Sequence, residues 1–328
     1  MYYLGIDVAK KKLDAKLLVD PVRLKFKSKS VANTAEGVAQ LLSFAQTQTG
    51  CAVHELHAVM EATSVYHELA ATQLFDAGVR VSVVNPAQLK EFARGLAVKT
   101  KTDAQDSAVL ARFGALTNPK LWQPEAQPVR ALKALIARLD AIEVDLRREL
   151  NRQEKIEHTA VPFEVRESIA QGIAFLRKEQ GRLRALIDDH IDRHPGLRED
   201  RKLLESIPAV GDKTAFRMVA LLRSRNFGVA REAAAYVGLV PIEHSSGASV
   251  NRRPRLSKAG DARLRAALYM AAVVATRYNP DIRAQYLRLT AAGKSKMSAL
   301  GAAMRKLIHI CFGVLKHRTP YAVQGVGG

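Results

Sequence analysis

The chain has 328 residues, 48% of them hydrophobic, enough for packed cores, which excludes wholesale disorder. With 51 Lys and Arg against 32 Asp and Glu, its net charge is +19, so a polyanionic partner is expected, nucleic acid ahead of an anionic membrane. There is no apolar run of about 18 residues and no export signal, so a cytoplasmic protein without a membrane partner is expected. Cys51 and Cys311 lack metal-ligand spacing and read as two reduced thiols.

The first third is strand-rich. Tyr2 to Val8 is β-prone and mostly apolar, Leu13 to Val19 follows, and Val22, Leu24 and Phe26 alternate with Arg23, Lys25 and Lys27 as a half-exposed strand. Asn33 is placed to cap a helix, with Glu36 at capping-box spacing. Leu56 to Met60 reads as a buried strand, Val65 to Ala77 as a helix closed by Gly78, and Val79 to Val84 as a strand stopped by Asn85-Pro86. Three strands followed by alternating helices and strands predict a mixed sheet covered by helices, the order of the ribonuclease H-like fold.

Leu132, Leu135, Leu139, Ile142 and Leu146 form a heptad stripe, broken at Pro162 and resumed from Ile169 to Ile187. Two long helices in a hairpin, or a piece of an ordinary bundle, fit this stretch. The rest is helix-rich. Ile207-Pro208-Ala209-Val210-Gly211 resembles the turn of a helix-hairpin-helix, with Ala209 where a glycine is usual. Residues 257–277 and 294–316 read as helices, and residues 243–260 as a small polar Ser/Gly loop running into a basic stretch. The expected boundaries are 1–126, a helical spacer at 127–197, and 198–328.

Asp7 near the end of the first strand and Glu61 at the end of the fourth are aimed out of the sheet edge. Asp103 and Asp106, three apart, share one helix face. Asp106 alone reads as solvated surface charge, a reading that suits Asp7 less well because an Asp closing an apolar strand is poorly placed without a partner. Together the four acids are the oxygen donors a hard cation such as Mg2+ requires, and paired cations of that kind clamp a phosphodiester during displacement.

The chain resembles the Asp-Glu-Asp-Asp transposases of insertion-sequence family one-hundred-and-ten, the bridge-RNA-guided recombinases, and more distantly the pilin gene invertase. The resemblance is carried by Gly5-Ile6-Asp7-Val8-Ala9-Lys10, Met60-Glu61-Ala62-Thr63, Val83-Val84-Asn85-Pro86 and Lys101-Thr102-Asp103-Ala104-Gln105-Asp106. In the second half it is carried by residues 203–208, Gly238-Leu239-Val240-Pro241, Ser246-Gly247-Ala248-Ser249-Val250 and Leu256-Ser257-Lys258-Ala259-Gly260. It implies a RuvC-like N-terminal domain with Mg2+ held by Asp7, Glu61, Asp103 and Asp106, a coiled-coil spacer, and a helix-rich C-terminal transposase domain with Ser246 as nucleophile. Ser245 adjoins Ser246 and leaves the register of the nucleophile open.

The resemblance also implies donor and target DNA, a structured non-coding guide RNA, and a homo-oligomer, dimer or tetramer. Lys10, Lys12, Lys101, Arg252, Arg253, Arg255 and Lys258 are the expected nucleic-acid contacts, against the alternative of a solvated basic surface. A metal-only nuclease, an invertase without a guide, and an architectural nucleic-acid binder are the rival readings. A sugar-kinase-like ATPase is disfavoured, because no second phosphate-binding strand is found.

Overall fold

A computed structural model describes residues 1–63, 65–96, 103–246 and 250–323, without the side chains of 103–105, 243–246 and 250–254. The chain forms two compact units, Met1–Pro124 and Glu125–Gly328.

The first unit is a five-stranded mixed sheet in the order β3-β2-β1-β4-β5. Its strands are β1 (Tyr2–Val8), β2 (Lys12–Asp20), β3 (Lys25–Ala32), β4 (Leu56–Glu61) and β5 (Arg80–Val84). β1 pairs antiparallel with β2 and parallel with β4, so the sheet is a meander joined to a parallel half. That is the ribonuclease H-like arrangement, and the α/β expectation holds. Alternation gives each strand two faces. Leu4, Ile6 and Val8 face a core completed by Val38, Leu41 and Ala45 of α1 (Ala35–Thr49) and Ala70, Ala71 and Leu74 of α2 (His67–Asp76). On the other face Val59 and Val84 meet Leu89 of α3 (Pro86–Gly95) and Val109, Leu110 and Phe113 of α4 (Asp103–Thr117).

Two boundaries differ from expectation. β3 begins at Lys25, not Val22: the Asp20 carboxylate accepts from the backbone N–H groups of Val22 and Arg23 and stabilises a turn. Val22 is 90% exposed there and Leu24 takes a positive φ of 50°. Helix α1 is capped by Thr34, whose hydroxyl accepts from Gly37 N–H, and not by Asn33. The Asn33 amide donates instead to the carbonyls of Ala9 and Tyr66, both at 3.0 Å.

The second unit opens with the antiparallel helices α5 (Gln127–Glu157) and α6 (Phe163–Asp192). Their stripes bury Leu132, Leu139, Ile142, Leu183 and Ile187 in a core continuous with the helices that follow. These are α7 (Pro195–Glu205), α8 (Asp212–Ser224), α9 (Ala230–Tyr236), α10 (Ala262–Tyr278), α11 (Pro280–Ala291) and α12 (Lys296–His317). Residue 209 in the α7–α8 turn has φ of 80°, the geometry that favours the glycine absent there. Helix α10 starts at Ala262, not Ser257, because Asp261 caps it by accepting from the N–H groups of Arg263 and Leu264.

By length and mean hydropathy alone α12 would be apolar enough to cross a membrane, although Arg305 and Lys306 interrupt its apolar run. Its apolar side is spent in this core, where Leu307, Ile308 and Cys311 are fully buried. Burial pushes the Cys311 thiol up to about 12, so it stays protonated.

Between α9 and α10 lies a two-stranded antiparallel sheet, β6 (Pro241–Ser246) and β7 (Val250–Leu256). The stretch read as a polar loop and basic run is thus a hairpin.

Candidate active site

The acids are placed by strand register. β1 and β4 run parallel with Gly5 opposite Val59 and Ile6 opposite Met60. Continued by one residue, that register sets Asp7 beside Glu61. Both share the parity of Gly5 and Val59, so both belong to the face covered by α4. Each is half-buried, at the end of a strand whose neighbouring residues form the core.

Helix α4 is brought down onto this row by glycine. A Cβ at Gly5 would collide with the Ser107 carbonyl and the Ala111 backbone nitrogen, and one at Gly114 with the side chains of Val59 and Tyr3. With Ser107 seated against Gly5, the preceding residue, half-buried Asp106, stands in the helix's first turns near the end of β1 where Asp7 lies. Asp103 is the first residue of α4, and its side chain lies outside those described.

Among the described residues no three His, Cys, Asp or Glu side chains gather closely enough to enclose a metal ion. In kind the donors fit a hard divalent cation: the strand row and the helix offer only carboxylate oxygens.

A fifth acid, not foreseen in the sequence, borders the row. Asp14 of β2 pairs with Asp7 across the antiparallel ladder. Its carboxylate accepts from Ser30 Oγ at 2.7 Å and pairs with Lys12 Nζ at 2.8 Å. Strand register would have found it, had the β1–β2 pairing been worked out. Asn33 is a second omission. Its two hydrogen bonds tie the segment after β1 to the segment after β4, behind the two strand-borne acids.

In the second unit Ser246 is the last residue of β6, paired with Val250, and Ser245 pairs with Asn251. Their side chains, like those of Arg252 and Arg253, lie outside those described, as do residues 247–249 entirely. Arg255 pairs with Ile242 and is exposed.

The base of the hairpin is closed by backbone. Gly238, with φ of 78°, would clash with Ala259 if it carried a Cβ, and Gly260, with φ of 88°, would clash with the Tyr236 carbonyl. Arg265 Nη1 donates to the carbonyls of Val237, Ala259 and Gly260 at 3.0–3.2 Å. The Lys258 N–H donates to the Gly238 carbonyl at 3.1 Å, and its side chain is exposed. The segments flanking the serine therefore clamp the hairpin. Lys10 is exposed in the turn after β1, Lys12 is engaged with Asp14, and Lys101 lies outside the described residues.

Comparison with known proteins agrees with this architecture. Residues 4–160 match the IS110-type DEDD transposase description, and residues 201–287 match the Transposase IS116/IS110/IS902 family. The pilin gene-inverting proteins of Moraxella bovis and Moraxella lacunata are 32% and 31% identical over 322 residues, covering 97% of each chain. An uncharacterized 43.6 kDa protein of insertion element IS110 from Streptomyces coelicolor is 29% identical over 155 residues, 47% of this chain and 37% of that protein.

The chain belongs to the family of IS110-type DEDD transposases and pilin gene-inverting proteins. RuvC of T. thermophilus, solved in complex with a Holliday junction substrate, is also similar to this chain. It is 16% identical with a TM-score of 0.28, covering 37% of this chain and 99% of that one. The fold assignment rests on the strand order and not on that likeness.

Proposed function

We propose that the protein cleaves and exchanges DNA strands, using Asp7, Glu61, Asp103 and Asp106 as the acid set and Ser246 as the nucleophile. The observation that supports this most is the parallel β1–β4 register, which sets Ile6 opposite Met60, one residue before Asp7 and Glu61, on strands whose other face residues meet α4. When bound there, Mg2+ would supply positive charge to the phosphoryl oxygens as negative charge develops on them.

The chain's residues do the rest. The carboxylates would hold that ion and so fix where the phosphate sits. The Ser246 oxygen bonds to phosphorus as one phosphorus–oxygen bond of the DNA breaks, and the serine proton ends on the departing strand oxygen. A strand hydroxyl from the partner duplex then attacks the serine ester and restores the serine. One bond breaks as another forms at each step, so no nucleotide is hydrolysed.

The deciding experiment traps the covalent protein–DNA adduct. Wild type forms it, Ser246→Ala does not, and Asp7→Ala binds DNA without forming it. Full-rate cleavage by Ser246→Ala would establish a metal-only nuclease instead. Ser245→Ala alongside fixes the register of the nucleophile.

A structured guide RNA pairing with donor and target DNA, and a dimer or tetramer around the synapse in the cytoplasm, complete the proposal. The net charge of +19 supports a large polyanionic load but does not separate RNA from DNA. The full-length likeness to pilin gene-inverting proteins favours a second reading, site-specific inversion without a guide. Sequencing RNA that copurifies with the protein separates them: one discrete structured species supports guidance, and its absence supports inversion.

A further inference from the structure

The sheet face that carries the acids continues past them. Helix α4 covers β1 and packs along β2, and at its margin the face of β2 and β3 forms a cleft of about 300 Å³. Its lining includes Lys12, Asp14, Lys16, Ser28, Ser30 and Ser107. Register explains the set. Asp14 opposes Asp7 on one side and Ser30 on the other, and Lys16 opposes Ser28. Directly opposed residues share a face, so this polar row extends the row of Asp7 and Glu61 outward.

The charges are ordered. Asp14 pairs with Lys12 Nζ and accepts the Ser30 hydroxyl, fixing both groups. Lys16 lies 5.7 Å from the centre of the Phe26 ring, which keeps its ammonium over this face. Because Asp14 balances Lys12, the cleft keeps a net positive charge from Lys16 and Lys29, with hydroxyls beside them at Ser28 and Ser30. Cations and neutral hydroxyls spread along a row suit an extended nucleic-acid backbone, whose phosphates are contacted by Lys and Ser side chains.

Adjacent strands lie about 4.8 Å apart, so β3 is about 10 Å from β1, roughly three nucleotides of rise along one DNA strand.

We propose that this cleft is a phosphodiester subsite, holding the backbone of the DNA strand that flanks the bond to be cut. The assignment to DNA rests on the proposed function of the neighbouring acids. It adds Lys16, Ser28 and Ser30 to the substrate-binding surface and gives Asp14 a positioning role.

The test measures binding of a fluorescein-labelled DNA duplex to the full chain by anisotropy across a salt series. Lys16→Ala combined with Ser28→Ala is expected to weaken binding about tenfold and to reduce the slope of log affinity against log salt by about one. Lys27→Ala is the control on the same strand. Lys27 opposes Leu17, buried in the core on the other face, and it should change affinity less than twofold. Unchanged affinity and slope in the double variant would overturn the subsite, as would an equal loss in Lys27→Ala. Weakened binding of a labelled structured RNA with unchanged DNA binding would overturn the assignment to DNA.

If the double variant fails to fold, Lys16→Gln alone is scored by the same salt series. Asp7→Ala separates the two claims. If it still cleaves while the cleft variant binds poorly, the subsite stands and the proposed chemistry falls. If it is inactive while the cleft variant binds normally, the reverse holds.

Discussion

Two elements present the proposed reactive groups, and they are built in opposite ways. Asp7 and Glu61 lie at the ends of two interior strands of a five-stranded sheet, with Ile6 and Met60 beside them completely buried. Ser246 ends a strand of a two-stranded sheet that is fixed at its base by Gly238, Gly260 and Arg265. An isolated hairpin is marginal in water, so its stability comes from that base. The acids owe their geometry to a hydrophobic core, whereas the serine owes its position to backbone closure.

This contrast predicts separable failures. The largest effect is expected from Asp7→Ala or Glu61→Ala, which should lower strand cleavage roughly a thousandfold in single-turnover assays while DNA affinity stays within a few fold of wild type. Gly238→Ala forces a Cβ into the Ala259 backbone at a positive φ. It should cost roughly 3 kcal/mol in denaturant unfolding of the second unit. Hydrogen exchange in β1 and β4 should be unchanged, and equal loss of protection there would erase the contrast.

The third effect concerns the core behind the acids. His57, 1% exposed, exchanges a 2.8 Å hydrogen bond with Ser82, and burial together with the nearby Arg80 charge lowers its pKa to about 4. The lowered pKa means the unfolded chain binds the proton more readily. This stabilisation is therefore complete above pH 6.5 and is lost as pH falls toward 4. At pH 5 the loss is about 2 kcal/mol, read as lower amide protection factors in β4 and β5. His57→Gln should flatten that dependence.

The smallest effect is a gain: Ala209→Gly relieves the left-handed residue between α7 and α8 and should stabilise the second unit by about 1 kcal/mol.

The same contrast explains what was legible in the sequence. Strands built on a core announce themselves through apolar periodicity, so β1, β4 and β5 and the acids at their ends could be placed directly. The α5–α6 stripe was legible for the same reason. The hairpin was not. Arg252, Arg253, Pro254 and Arg255 have no apolar alternation, and Pro254 argues against a strand. Its fold depends on Gly238 meeting Ala259 and Gly260 meeting Tyr236, contacts that no local pattern encodes. Asn33 misled because its residue type suits a helix cap equally well. Only the folded chain brings Ala9 and Tyr66 within its reach. Asp14 was passed over because its importance depends on register with Asp7, which spacing alone does not fix.

Gly5 carries a wider consequence. The gap between the row of strand acids and the first turns of α4 sets the calibre of the site, and no acid sets that gap. It is set one residue before Ile6-Asp7, where the absence of a single carbon lets the Ser107 carbonyl rest on the strand. One methyl group at Gly5 would act as a shim, lifting the start of α4 away from β1 with every acid of the proposed set still in place. Such a variant would keep the whole acid signature in its sequence and lose the helix-to-strand spacing on which the proposed site depends.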